Sequence, residues 1–295
     1  MRGLLVVGDV VTDVVARHAE PLAPATDTAA RIRTLPGGAG ANAACWAASR
    51  GCQEVRLLAR VGTDAHDWHA DALRAAGVRP LLVADPDAPT ATVIALVDAG
   101  AERTFLTDSA AALRLAPGDW SEDLLDGVAH LHVSGYMFFA DTSRATARLA
   151  LAAARDRGVP VSVDPASAGF VGALGVDRFL ASVEGADVLL PNADEARLLT
   201  GLAEPADAAA ELSRRFPLVA VTLGAAGALV AEQGAAVERV AAPEVRAVDS
   251  TGAGDAFTGA FLAARLAGAD PAEAARAGCR AGAEAVGSVG GRPRG

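Results

Sequence analysis

Short apolar strands alternate with helical segments along most of this 295-residue chain, and this alternation limits the fold more than any other feature. Residues 4–10, 55–61 and 129–133 are predominantly apolar and of strand length, and residues 65–76 and 141–157 have helical periodicity. Strands separated by helices form βαβ units with a largely parallel sheet. The sequence therefore predicts an α/β fold, whose ligands bind outside the carboxyl ends of the strands.

Two stretches of the chain, about residues 12–36 and 90–107, interrupt this alternation. We interpret them as a small β lid over one end of the sheet. The sequence contains no internal repeat and no linker long enough to divide it. It therefore predicts one domain over residues 1–295.

The charged residues exclude several classes of function. All 26 basic residues are Arg, so a phosphate-binding, Schiff-base or general-base Lys is excluded. A formal net charge of −10 without a basic cluster argues against nucleic acid or an anionic membrane as partner. Cys45, Cys52 and Cys279 have no metal-type spacing. Without a signal peptide or a membrane-spanning stretch in the sequence, we expect a cytoplasmic protein.

Residues 249–261 (DSTGAGDAFTGAF) carry the strongest chemical signal. The turn Gly252-Ala253-Gly254 leads into a predicted helix, and unpaired amides at a helix start bind anions. Asp255 places a negative charge where the anion would bind. A carboxylate there suits proton abstraction from an alcohol that attacks a phosphoryl group. The alternative is an ordinary acidic residue in a first helical turn.

Other polar residues follow the predicted strands, and each allows two interpretations. Asn42 lies inside a predicted helix, where Asn is a poor helix former, which favours a ligand contact. Asp13 fits either a turn or an acceptor for two sugar hydroxyls. Asn192 and Glu195 fit either a capping box or a metal and phosphate site. Arg103 fits either an exposed strand or a contact with a substrate anion.

Residues 37–48 (GGAGANAACWAA) and 249–261 resemble, in the expected order, the two signatures of the ribokinase-like carbohydrate kinases, the PfkB family. The resemblance covers essentially the whole chain. It implies a three-layer fold with a mostly parallel central sheet, flanking helices and a small β lid. It also implies ATP-dependent, Mg²⁺-assisted phosphorylation of a hydroxyl of a small sugar or sugar derivative. A nucleoside kinase of the adenosine or pseudouridine type is the alternative, and a non-catalytic sugar-binding member is a third.

The resemblance also implies a role for each candidate residue. Asp255 is the base, and the amides of Gly252, Ala253 and Gly254 form the anion hole. The substrate-binding residues are Asp13, Gly38, Asn42 and Arg103. The residues at the nucleotide are Asn192, Glu195, Thr222, Gly224, Gly227 and Cys279. The cation sites involve Glu195 for Mg²⁺ and Asp249 for a monovalent cation such as K⁺. An exposed lid edge also makes a homodimer through the lid a hypothesis.

Two departures from the family pattern leave the acceptor open. Ribokinases usually carry Lys at the position of Ala39, and the segment Ser134-Gly135-Tyr136 lacks an acidic residue that ribokinases often have. Residues 101–104 resemble the lid of sugar and keto-sugar-acid kinases, which favours a sugar.

A dinucleotide-dependent oxidoreductase is a further alternative, because Gly38-x-Gly40-x-x-Ala43 superficially fits a Rossmann fingerprint. That fingerprint should follow the first core strand and precede a strand that ends in an acidic residue. Here it follows the irregular stretch, and the strand over residues 55–61 ends without an acid. The sequence therefore favours the kinase.

Overall fold

The computed structural model describes residues 3–100, 103–234 and 237–294. The strands in these ranges are β1 (Gly3–Val7), β2 (Val11–His18), β3 (Ala30–Gly37), β4 (Glu54–Gly62), β5 (Val78–Asp85), β6 (Ala91–Val97), β7 (Arg103–Asp108), β8 (Val128–Ser134), β9 (Val161–Asp164), β10 (Val188–Leu189), β11 (Leu218–Thr222), β12 (Ala228–Glu232) and β13 (Glu238–Val240). The α-helices are α1 (Ala39–Ser49), α2 (His66–Ala75), α3 (Asp141–Asp156), α4 (Ala168–Leu174), α5 (Val176–Ser182), α6 (Ala193–Thr200), α7 (Pro205–Leu212), α8 (Ala253–Leu266) and α9 (Pro271–Ala285).

Nine strands form the main sheet, in the order β13-β12-β11-β10-β9-β8-β1-β4-β5. From β11 to β5 every neighbouring pair is parallel, whereas β12 and β13 run antiparallel at one edge. Helices connect most of the parallel strands, as parallel pairing requires. The predicted α/β fold with a mostly parallel sheet is confirmed.

Helices cover both faces of the main sheet. Leu5 and Val7 of β1 face one apolar layer, which α3 to α7 complete, and Leu4 and Val6 face the other, which contains residues of α1, α2, α8 and α9. A strand that is buried on both faces is apolar throughout, which explains the continuous runs in the sequence. The three-layer prediction is therefore confirmed. Within the described ranges, no helix is long and apolar enough to cross a membrane.

The remaining strands form a separate four-stranded sheet, in the order β3-β2-β6-β7, which we call the small sheet. It contains most of the two stretches that the sequence marks as a lid; Ala101 and Glu102 lie outside the described residues. The first stretch is more regular than expected, because β2 and β3 pair antiparallel from Val11↔Gly37 to His18↔Ala30. Most of β2 is half-buried and β3 is largely exposed, so neither strand shows clear apolar alternation.

Some element boundaries differ from those predicted, and some helices of the structure were not predicted. The first strand ends at Val7 rather than at residue 10, because the chain leaves the sheet where Asp9 binds the start of α1. Helices α4, α5 and α7 were not predicted.

Helices α1 and α8 cross in direct backbone contact. A Cβ atom at Gly259 of α8 would overlap the carbonyl oxygen of Ala43 in α1, so only glycine allows this approach. Gly259 lies one turn after Asp255, and Ala43 follows Asn42 directly. The crossing therefore brings the first turns of both helices together at the carboxyl edge of the sheet.

Candidate active site

A cavity of about 520 Å³ opens at this carboxyl edge, between the main sheet and the small sheet. Its walls come from the ends of β1, β9 and β11, from the first turns of α1 and α8, and from β2, β6 and β7. It brings together most of the residues that the sequence singles out. These are Asp13, Gly38, Asn42, Asn192, Glu195, Thr222, Gly252, Ala253, Gly254 and Asp255.

A hydrogen bond between Asn42 and Asp255 links the first turn of α1 to the first turn of α8. The Asn42 side-chain amide donates to Oδ2 of Asp255 at 2.8 Å. Asn42 is 3% exposed, and its Oδ1 accepts no hydrogen bond from the described residues. Asn42 also lines the cavity, so its side chain places a polar group beside Asp255 at the edge of the site.

The Asp255 carboxyl lies in a strongly acidic environment. Burial raises the pKa of Asp255 well above its usual value, and the charges of Asp164, Asp9 and Asp13 raise it further. The hydrogen bond from Asn42 lowers the pKa of Asp255. A carboxylate with a raised pKa accepts a proton more readily, which suits general-base catalysis near neutral pH.

Asp13 lies on the small-sheet side of the cavity, against the backbone of Gly37. A Cβ atom at Gly37 would overlap the Asp13 carboxylate. The next residue, Gly38, has φ +99°, and a Cβ there would lie 2.5 Å from the carbonyl oxygen of Asp9. Burial and the charge of Asp9 raise the pKa of Asp13 to about 6. The glycines thus allow a carboxylate to approach the start of α1 closely.

Asp9, for which no role was predicted, fixes the start of α1. Its carboxylate accepts hydrogen bonds from the amides of Ala39 (2.7 Å) and Gly40 (3.1 Å) and from the hydroxyl of Ser134 (2.8 Å). The sequence feature that could have indicated this role is the position of Asp9 directly after a buried strand. Because these bonds hold the first turn of α1, they also hold Asn42 against Asp255.

Asn192 and Glu195 form a capping box at the start of α6. The Glu195 amide donates to Oδ1 of Asn192 at 2.9 Å, and the Asn192 amide donates to Oε2 of Glu195 at 2.8 Å. The structural interpretation is therefore correct, although both residues also line the cavity. Burial and the charge of Asp164 raise the pKa of Glu195 to about 8.

Asp164 ends β9 on the same wall, where it accepts from Thr258 Oγ1 at 3.2 Å and from the Ala166 amide at 2.7 Å. Burial raises the pKa of Asp164 to about 6. Oxygen ligands with an excess of negative charge suit a hard cation such as Mg²⁺. In the described part of the chain, no group of three or more His, Cys, Asp or Glu could hold a metal on its own. A cation here would therefore need ligands from a substrate or water.

The glycine turn precedes α8 in the predicted position. Gly252 is its N-cap in the left-handed conformation (φ +73°), and a Cβ there would overlap Gly291. The amide of Ala253 donates to Ser250 O at 3.3 Å, so it is less available to an anion than predicted. The amide of Gly254 donates to no group in the described ranges, and a Cβ at Gly254 would meet open space. Gly254 is therefore the most open part of the turn.

A second cavity, of about 610 Å³, lies beyond Gly254 on the side of α9. Gly224, Gly227 and Cys279 all line it, together with apolar residues such as Phe257. The backbone also explains why residue 227 is glycine, because at its φ of +95° a Cβ atom would overlap the carbonyl oxygen of Val240. Thr222 lines both cavities, which therefore meet at the end of β11.

Two further predicted site residues are Asp249 and Arg103. Asp249 is 4% exposed and accepts hydrogen bonds from the amides of Thr251 (2.8 Å) and Gly290 (3.2 Å), so it ties the loop before α8 to the C-terminal segment. Arg103 begins β7, and its side chain lies outside the described residues.

The C-terminal segment, residues 286–294, completes the site behind α1 and α8. The Trp46 indole donates to the carbonyl oxygen of Gly291 at 2.8 Å, and Gly291 lies directly against Asn42 and Gly252. No role was predicted for this segment. No periodicity marks it, because its position depends on tertiary contacts.

The two adjoining cavities thus lie at the carboxyl edge of the α/β sheet, where ligands bind in such folds. The model of the pfkB family carbohydrate kinases matches residues 1–294. The chain therefore belongs to this family of sugar and nucleoside kinases, which are phosphotransferases acting on hydroxyl groups.

Named relatives agree with this assignment. The chain is 33% identical to a fructokinase of Klebsiella pneumoniae over 273 residues, covering 88% of this chain and 82% of that protein. It is 30% identical over 299 residues to the bifunctional protein HldE of Caulobacter sp. (strain K31), covering 92% of this chain but only 57% of that protein's length. The crystal structure of a putative ribokinase II from E. coli in complex with ATP and Mg²⁺ shares the fold, with a TM-score of 0.86, 24% identity, and coverage of 99% of this chain and 94% of that chain.

Proposed function

We propose that the protein is an ATP-dependent kinase that phosphorylates a hydroxyl of a small sugar or sugar derivative, with Asp255 as the base. The observation that carries this proposal is the position of Asp255 in the first turn of α8. Its carboxylate is hydrogen-bonded to Asn42 on the acceptor side, and the glycine turn lies directly before it.

Different groups bind the acceptor on one side of Asp255 and stabilise the transferring phosphoryl group on the other. Asp13 and Asn42, which both line the cavity, bind acceptor hydroxyls and orient one of them toward Asp255. Asp255 takes the proton of that hydroxyl as the hydroxyl oxygen bonds to the γ-phosphorus of ATP, and the bond from this phosphorus to the β-phosphate oxygen breaks to release ADP. The amide of Gly254, with the start of the α8 dipole, stabilises the negative charge of the transferring group.

The nucleotide would occupy the second cavity, with Thr222 and Gly224 beside its phosphates and Cys279 near its base. The E. coli structure of the same fold is a complex with ATP and Mg²⁺, which supports ATP and Mg²⁺ as the cosubstrate and the cation of this chain. Glu195 and Asp164 would face the Mg²⁺ ion, which when bound neutralises phosphate charge. Because the chain contains no Lys, Mg²⁺, backbone amides and Arg are the groups that can supply this neutralisation.

The proposal is tested by ADP release in the presence of pentoses, hexoses, keto-sugar acids and nucleosides, with Mg²⁺. At least one acceptor should raise ADP release far above the acceptor-free rate, and chelation of Mg²⁺ should remove that increase. An unchanged rate across the whole panel would favour the non-catalytic binding protein instead.

The two glycines of the turn should respond differently to the same substitution. Gly254→Ala adds a methyl group in open space, so we expect unchanged or slightly increased stability, with kcat lowered about tenfold to hundredfold because the methyl group narrows the phosphate approach. Gly252→Ala should instead cost about 1–3 kcal/mol of unfolding free energy, because φ is +73° and Gly291 blocks the Cβ. Thermal unfolding and steady-state kinetics measure both. Equal stability losses in the two variants would contradict the geometry.

A nucleoside acceptor is a second candidate, favoured by aromatic side chains on the cavity wall. Tyr136 and Phe170 line it and pack edge to face (5.7 Å between ring centroids), and Phe105 of the small sheet lines it while 51% exposed. If the acceptor is a nucleoside, Phe105→Ala should lower kcat/KM about tenfold through lost stacking on the base. Leu106→Ala, the exposed neighbour in β7, is the matched control. Equal, small effects of both variants would favour a sugar.

A further inference from the structure

Arg292 in the C-terminal segment places a positive charge behind the acceptor side of the cavity. Its Nη2 donates to the carbonyl oxygen of Gly37 at 3.4 Å. Gly37 is the residue against which the Asp13 carboxylate lies. The guanidinium and the carboxylate are therefore neighbours across one backbone unit.

The guanidinium is poorly satisfied by hydrogen bonds. Its Nε and Nη1 atoms are buried, and neither has a hydrogen-bond partner among the described residues. A buried cation is stabilised mainly by nearby negative charge when hydrogen bonds are lacking. Since these two nitrogens have almost no exposed surface, Arg292 is better placed to act on Asp13 than to contact the acceptor.

The charged groups around Asp13 come from several elements. Asp9 after β1 and Asp249 before α8 raise the pKa of Asp13, and Asp255 in α8 also interacts with it. His69 of α2 hydrogen-bonds Thr12 at 3.0 Å, and burial and Arg292 lower its pKa to about 4, so it is neutral at pH 7. Arg292 is thus the cation, within the described ranges, that opposes three carboxylates around Asp13.

We propose that Arg292 is a positioning residue that holds the Asp13 side chain in its ionised form, so that Asp13 accepts hydrogen bonds from acceptor hydroxyls at neutral pH. This inference rests on the proposed function for the role of Asp13. Its electrostatic part is independent of any substrate. A protonated Asp13 would keep one acceptor oxygen and lose the charge that strengthens both hydrogen bonds.

The electrostatic part is tested by a pH titration of protein labelled with ¹³C at the Asp carboxyl carbons, with the Asp13 signal assigned by its loss in Asp13→Asn. Arg292→Met should raise the pKa of Asp13 by about 1 or more, because an opposite charge nearby is removed. Arg292→Gln, which keeps a donor for Gly37, should show the same rise even if the Met variant folds poorly. Arg292→Lys should stay close to wild type. An unchanged Asp13 pKa in the neutral variants would overturn the proposal.

Kinetics with the preferred acceptor separate this role from a structural one. The ratio of wild-type to Arg292→Met kcat/KM should be about fivefold or more at pH 6 and near one at pH 9, where Asp13 ionises in both proteins. The loss should lie mainly in KM. Arg294→Met is the matched control, because Arg294 is exposed and donates to Gly287 O from the same segment.

Two kinetic results would contradict the proposal. A loss that is equal at all pH values would indicate a structural role, and a loss confined to anionic acceptors that persists at pH 9 would indicate direct binding. If wild type phosphorylates no acceptor, the proposed function fails, while the Asp13 titration still decides the role of Arg292.

Discussion

Replacing Asp255 with Asn is expected to lower kcat about 10³-fold while changing the acceptor KM little. The amide preserves the shape of the side chain and can still accept a hydrogen bond from Asn42, but it cannot take a proton. In the proposed function the acceptor is bound mainly by Asp13 and Asn42, which the substitution leaves in place. Steady-state kinetics with ADP detection measure the effect, and a kcat within tenfold of wild type would show that Asp255 is not the base.

The same substitution should stabilise the protein above neutral pH. Burial and three neighbouring acids raise the pKa of Asp255 in the folded protein well above the unfolded value of about 3.9. Such a group favours the folded state below the unfolded pKa, and this contribution is lost as pH rises through the folded pKa. Asn does not titrate, so the Tm of the variant should exceed that of wild type at pH 8–9, and the difference should disappear near pH 4. Thermal unfolding at both pH values checks this, and a less stable variant at pH 8 would contradict the electrostatic account.

The second large effect is expected for Asp13→Asn, which should lower kcat/KM for the acceptor about 10²–10³-fold, mainly through KM. An ionised carboxylate accepts two charge-assisted hydrogen bonds from neighbouring hydroxyls, whereas an amide offers one oxygen and two donors. The variant should fold normally, because removing a buried charge beside Asp9 relieves repulsion.

Asp108→Asn is the matched control for this substitution. Asp108 also lines the cavity, but it is exposed at the end of β7 and accepts a hydrogen bond from the Ala110 amide at 3.1 Å. We expect its kcat/KM to stay within about twofold of wild type, since a solvated side chain contributes little. Similar losses in the two variants would contradict a specific role of Asp13 in acceptor binding.

The parts of the fold that the sequence predicted are those with strong local signals. Strand β1 is apolar throughout because helices cover both faces of the main sheet, and amphipathic helices such as α2 and α3 have clear periodicity. Helix α4 was missed because Gly169 and Gly172 lower its intrinsic propensity; the Ser167 cap and the burial of Val171 stabilise it instead.

In the candidate site, too, the features with a local sequence signal were predicted, and those that depend on contacts between distant residues were not. Asp255 and the glycine turn were apparent because a helix start, two glycines and an acid lie within a few residues of one another. The contact of Asn42 with Asp255 joins residues 213 positions apart and depends on the backbone crossing at Gly259. Gly291 and Arg292 reach the site only because the chain returns past α9, which no local pattern in the sequence indicates.

The most direct test of the central claim is ³¹P NMR of a reaction that contains the protein, ATP, Mg²⁺ and the acceptor that gives the highest ADP release. The account predicts that the γ-phosphate signal of ATP is replaced in equal amounts by ADP and a phosphomonoester of the acceptor, and that Asp255→Asn shows almost no phosphomonoester. Release of inorganic phosphate without a phosphomonoester, or equal product formation by the variant, would contradict it.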